Sequence, residues 1–161
     1  MERGAIPASG QEVPNLGTLA LKGAGRFRLL AHTADIGLEA TAPSVEELFV
    51  AAARGLKSLM FGASPTIATA QFDVALEAGD TAELLVAWLN EILVFSEMAH
   101  VVPASFQIHD LKNCSLTATL AGESFDPSRH VVERIAKAVT YHQLVVEKRD
   151  KGWYARVYID L

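Results

Sequence analysis

The sequence predicts an α+β domain of two compact layers, a mixed but mostly antiparallel sheet packed against two main helices. Three observations carry this. Two segments repeat apolar residues at helical spacing behind capping signals. At least seven short runs alternate apolar and polar residues as strands do. The resulting order, β-β-α-β-α-β-β-(α)-β-β, is mixed rather than a strict βα alternation, and it contains no repeat. A chain of 161 residues that is half apolar suits a single domain that buries about two-thirds of its unfolded surface.

Residues 1–25 hold five glycines with Pro7 and Pro14 and no sustained periodicity, so they read as a flexible extension ahead of a domain spanning 26–161. Arg26-Phe27-Arg28-Leu29-Leu30 begins the first strand. Gly37 to Ala42 alternates again and forms the second. Ser44 is placed as an N-cap, with Glu47 closing a capping box. Val45, Leu48, Phe49, Ala52, Leu56, Leu59 and Met60 then form one helical stripe that stops at Gly62. Phe72, Val74 and Leu76 alternate as a third strand. Asp80 and Glu83 open a second helix, apolar nearly all round, which must therefore be central; Asn90 and Glu91 are its polar exceptions and pair with a neighbour or with solvent.

Ser105–His109 and Cys114–Leu120 alternate on either side of Asp110-Leu111-Lys112-Asn113, a hairpin connection. Asp126-Pro127 predicts a short capped turn of helix. Leu144-Val145-Val146-Glu147 and Trp153 to Ile159 close the fold as a hairpin around Arg149-Asp150-Lys151-Gly152. Cys114 is the only cysteine, which excludes an internal disulfide and a cysteine-rich zinc site and reads as a buried structural thiol.

The net charge of −5 argues against strong direct nucleic-acid binding, which needs a basic surface. Charge is uneven, however. Residues 32–100 carry ten acids against Arg54 and Lys57, whereas 126–161 carry seven bases against five acids. This asymmetry is either a solvated acidic surface or a means of steering a basic partner. No run reaches the ~20 apolar residues of a membrane span, and the start lacks a secretory pattern. The expectation is a cytoplasmic protein.

No phosphate-cradling glycine loop, helical His-Glu-x-x-His or serine elbow is present. Histidines at 32, 100, 109, 130 and 142 do not have zinc spacing. His32, in Leu30-Ala31-His32-Thr33-Ala34-Asp35-Ile36-Gly37-Leu38, is either a base held by Asp35 or a side chain bonded to its own turn. A sheet that brings the last strand beside the first would gather Asp35, Asp160 and a carboxylate at Leu161. Such a cluster repels itself unless a cation compensates, and hard oxygen donors suit calcium or magnesium better than zinc. Lys137 lies among apolar residues in Arg134–His142, where it either pairs with an aspartate of that edge or snorkels to solvent.

HTADIGLEA, the capped SVEELF helix, ELLVAWLNEIL, DPSRH, KAVTYH and the final VYIDL together resemble, in that order, the archease family across about residues 27–161. The resemblance implies a compact α/β fold and a protein that is not itself an enzyme. It implies a cofactor of an RtcB-type RNA ligase, which joins RNA ends bearing a 3'-phosphate or cyclic phosphate; the family promotes ligase guanylylation and multiple turnover. Some members are described as chaperones of an RNA or DNA methyltransferase. Residue by residue, Asp35, Asp160 and the Leu161 carboxylate match the family's cation site, for calcium or another hard divalent ion such as magnesium or manganese. Lys137 matches a position used in activation, and His32 is expected with it as an activation and partner residue. Two features depart from the family: Ser96–Pro103 is less acidic than the corresponding loop, and Gln143 follows TYH where glycine is common. A phosphoryl hydrolase built on the same acids, with His32 as base, lacks a nucleophile-activating set.

Overall fold

The computed structural model describes residues 25–31 and 34–161. It consists of β1 (Arg26–Ala31), β2 (Asp35–Ala42), α1 (Val45–Phe61), β3 (Ala70–Glu77), α2 (Thr81–Met98), β4 (Val101–Lys112), β5 (Ser115–Ser124), β6 (Ala138–Arg149) and β7 (Gly152–Asp160). The α+β expectation holds, with two helices, but in place of one mixed sheet the strands pair wholly antiparallel in two sheets. The strands divide into two sheets, β1-β2-β7-β6 and β3-β5-β4, and both helices touch both sheets. The last strand lies beside β2, the strand that carries Asp35, and not beside β1.

Both helices start as their sequences dictate. Ser44 Oγ accepts from the Glu47 N–H at 3.2 Å, and Asp80 Oδ1 accepts from the Glu83 N–H at 2.8 Å; each satisfies a donor that the first turn leaves orphaned. α1 stops at Gly62, whose φ of 59° needs the freedom of glycine. α2 buries Leu84, Leu85, Val86, Trp88, Leu89, Ile92 and Leu93, the central role its composition demands. Trp88 is fully buried and donates from Nε1 to the Phe49 carbonyl at 3.0 Å, so the helix–helix contact satisfies its one polar atom. Gly55 lets α1 approach the sheet: a Cβ there would lie 2.4 Å from Leu38 Cδ1 and 3.1 Å from the Phe27 ring.

Three local readings are corrected. The β4–β5 connection is only Asn113-Cys114, with φ of 52° and 62°, a two-residue turn whose positive φ values match the strand twist; Asp110–Lys112 continue β4. Cys114 is thus half-buried in a turn, its Sγ 3.7 Å from the Gly79 carbonyl, and is not a core thiol. Asp126-Pro127 starts no helix. The Arg129 and His130 N–H groups both bond to the Asp126 carbonyl, but the chain is then drawn away by Val131 N–H to Ser64 Oγ at 3.0 Å and Glu133 N–H to the Met60 carbonyl at 2.7 Å. Tertiary bonds take the donors that a second helical turn would use.

Candidate cation edge and partner face

β2 and β7 pair antiparallel with Asp35 directly opposite Asp160, Gly37 opposite Tyr158 and Glu39 opposite Arg156. Ile36, Leu38 and Ala40 point into the core, so Asp35 and Glu39 stand on the outer face, and so do Asp160 and Arg156. Directly opposed side chains have Cβ atoms about 4.5–5.5 Å apart. The two carboxylates predicted from opposite ends of the domain therefore share one row of one sheet. Like charges in that relation are destabilising unless a cation offsets them.

On the other side of β7, Ala138 faces Asp160, and the Lys137 N–H bonds to the Asp160 carbonyl at 2.8 Å. Lys137 is thus held beside the pair through its backbone. Its side chain is exposed, and among the described residues its ammonium makes no ion pair. Leu161 is half-buried and packs on the core. His32 lies outside the described residues. Among those residues no group of three or more His, Cys, Asp or Glu gathers that could hold a metal. Asp35 and Asp160 supply hard oxygen donors, which fit calcium or magnesium; the 6–8 oxygens calcium takes would need further donors such as water or a partner.

Asn90, one of the two polar exceptions of α2, pairs with a neighbour as expected, and that neighbour is the edge strand β6. Its Nδ2 donates to the Val139 carbonyl at 3.0 Å, and its Oδ1 accepts from the Val139 N–H at 2.9 Å. β6 is an edge strand, and the carboxamide takes the place of a missing neighbouring strand two residues from Lys137. A lone amide in an otherwise apolar helix was the available signal.

DPSRH ties itself to β5 through the buried side chains of His130 and Glu123, just ahead of the segment leading to Lys137. Arg129 binds Glu123 through both Nη atoms, at 2.5 and 3.1 Å. His130 Nδ1 accepts from the Asp126 N–H at 2.9 Å, which leaves the proton on Nε2, 3.3 Å from Glu123 Oε2. The Ile67 N–H also bonds to Glu123. Arg129 first, then that N–H, hold the Glu123 carboxyl down at about 2 against the opposing effect of burial. Beyond this tie, Val132 and Ile135 remain 49% and 75% exposed. They line a groove of about 750 Å³ with Phe61, Leu93, Phe125 and Lys137. Large apolar side chains held outward in this way form an exposed apolar patch beside Lys137.

The archease protein-family model matches residues 27–161. The archease of Methanosarcina mazei is 35% identical over 140 residues, covering 84% of this chain and 96% of that one; that of Methanopyrus kandleri is 33% identical, covering 82% and 96%. The solution structure of Methanobacterium thermoautotrophicum protein 1598 is 30% identical with a TM-score of 0.73, covering 84% of this chain and 98% of that one. The crystal structure of a Thermotoga maritima archease, described as a possible chaperone, shares the fold at a TM-score of 0.56 and 21% identity, covering 81% and 93%. With this order of elements and the match across the whole described domain, the chain belongs to the archease family.

Proposed function

We propose that this protein is a non-enzymatic, cytoplasmic activator of an RtcB-type RNA ligase, promoting its guanylylation and multiple turnover in tRNA splicing or RNA repair. The observation that carries the reading is the row Asp35–Asp160 with Lys137 bonded to the Asp160 backbone. Asp35, Asp160 and Leu161 would hold a calcium, magnesium or manganese ion, which would neutralise the paired charge and offer open coordination positions to a partner. The chain's own contribution is positional. The β2–β7 register fixes both aspartates, Asn90 fixes the start of β6, and Lys137 presents an ammonium that makes no ion pair among the described residues. An exposed, uncommitted ammonium beside two acids suits a partner carrying a phosphate or carboxylate.

The apolar groove that runs up to Lys137 would supply the affinity, since desolvated apolar anchors dominate most interfaces. That groove is not specific to a ligase, and it favours a second reading, modulation of an RNA or DNA methyltransferase. Multiple-turnover ligation by the cognate ligase, with wild type and with Lys137→Ala, decides between them. Stimulation by wild type that falls at least 10-fold in a folded Lys137→Ala supports the ligase reading. No stimulation by wild type, with capture of the methyltransferase, establishes the second instead.

A further inference from the structure

The outer face of β1-β2-β7-β6 has a second end. Away from Asp35 and Asp160 the cross-strand rows read Arg28–Glu39–Arg156, then Arg26–Thr41–Tyr154. Strand geometry puts successive rows about 7 Å apart and the Glu39 row about 13 Å from the aspartates. Arg149, at the end of β6, lies 3.6 Å over the Tyr154 ring. Arg26, Arg28, Arg149 and Tyr154 surround a cavity of about 320 Å³.

The charges at this end do not cancel. Glu39 takes Arg28 at 2.6 Å and the Tyr154 hydroxyl, and Glu147 takes Arg149 Nε at 2.6 Å. Among the described residues two carboxylates therefore face four guanidiniums. Arg26 makes no ion pair among the described residues, and Arg156 Nε is buried without a hydrogen-bond partner. Among the described residues this leaves the charges of Arg26 and Arg156 without a carboxylate of their own, on an acidic protein. The charges are spread over successive rows instead of converging on one point, a pattern that fits an extended polyanion better than a single phosphate. Tyr154 is buried beneath Arg149 and offers no ring for stacking, and no group is placed to read a base edge.

We propose that this face binds the phosphate backbone of a single nucleic-acid strand, without base or sugar readout, with the aspartate row limiting the footprint at the far end. The inference is independent of the ligase reading and contradicts the expectation from net charge, which averages over a surface whose two ends differ in sign.

Fluorescence anisotropy of the full-length protein with a labelled 12-nucleotide oligouridylate tests it. Contacts to three or four phosphates give a slope of log affinity against log salt of about −2 to −3, a loss of about 20- to 50-fold between 50 and 200 mM salt. Arg26→Gln/Arg149→Gln changes only exposed side chains. It should retain the wild-type Tm, bind at least 10-fold more weakly at 50 mM salt and lose about half of the slope. Arg26→Lys/Arg149→Lys should restore most of the binding, and a DNA strand of equal length should bind equally. Absence of binding at 50 mM salt, or equal binding by the Gln variant, overturns the proposal. Displacement of the strand by ATP at the strand's own Kd also overturns it, in favour of a free-nucleotide site.

Discussion

Replacing Asn90 by alanine isolates the contact that fixes the start of β6. Two hydrogen bonds, of 3.0 and 2.9 Å, are lost together, and they serve the N–H and C=O of a residue only 3% exposed. A buried polar group left unsatisfied costs about 1–3 kcal/mol. Water entering the space vacated by the carboxamide recovers part of this, so the net loss is about 2–4 kcal/mol. For a domain of this size that lowers Tm by roughly 6–20 °C. Thermal unfolding followed by circular dichroism measures it. Hydrogen exchange should accelerate at Val139, whose N–H loses its acceptor, and less at Lys137, whose N–H keeps the Asp160 carbonyl. Asn90→Asp gives a finer test, because a carboxylate can still accept from the Val139 N–H but faces the Val139 carbonyl with no donor. It should be destabilised as well. A Tm within 2 °C of wild type for Asn90→Ala, with unchanged exchange at Val139, would refute the edge-capping argument.

The remaining predictions concern single sites. Glu123, held at about 2 by Arg129 and the Ile67 N–H, lies below its unfolded value of about 4.3. It therefore contributes stability present above pH ~4.3 and lost as pH falls through about 2; Glu123→Gln should remove that part of the acid transition, as read by denaturation across pH 2–6. Burial first, then the bond to Glu39, push Tyr154 up to about 12, so one of the three tyrosines should titrate roughly two units late in ultraviolet absorbance. The stability it contributes is present below pH ~10 and is lost as pH rises through 12. Gly55→Ala should cost about 1–3 kcal/mol through overpacking against Leu38 and Phe27, measured by urea unfolding. Gln143 has a φ of 49°, a left-handed conformation that costs a non-glycine residue about 1–2 kcal/mol. Gln143→Gly should raise stability by about 0.5–1 kcal/mol after the entropic cost of glycine, and an unchanged or lowered urea midpoint would count against this.

Local rules written in few residues were legible in the sequence. The capping pairs Ser44/Glu47 and Asp80/Glu83 placed both helix starts, and the apolar character of α2 foretold its central position. The alternation in β1, β2, β3 and β7 gave strand identity, and the meeting of Asp35 with Asp160 followed once the last strand joined the sheet. What the sequence hid were effects of distant contacts. DPSRH carries helix-start residues, but Ser64 and Met60, more than sixty positions earlier, claim the next backbone groups. β6 begins at Ala138 because Asn90 supplies the edge bonds, and β6 is irregular between Thr140 and Val145, which blurs its alternation. The arginine end of the outer face was invisible because Arg26, Arg28, Arg149 and Arg156 come from both ends of the domain, and a net charge sums them with acids on other surfaces. Gln143 is the reverse case: its left-handed backbone angle, which glycine adopts without strain, is revealed only by the fold.

The proposed ligase activation rests on the Asp35–Asp160 row. Its most direct test is single-turnover guanylylation of the cognate RNA ligase with wild type, Asp160→Asn and Asp35→Asn, each with its Tm recorded in the presence and absence of calcium. Fast guanylylation is expected with wild type, with loss of stimulation in both variants while they remain folded. Calcium should raise the Tm of wild type alone. Full stimulation by the two folded variants would contradict a role for this row in activation, whatever calcium does to their stability.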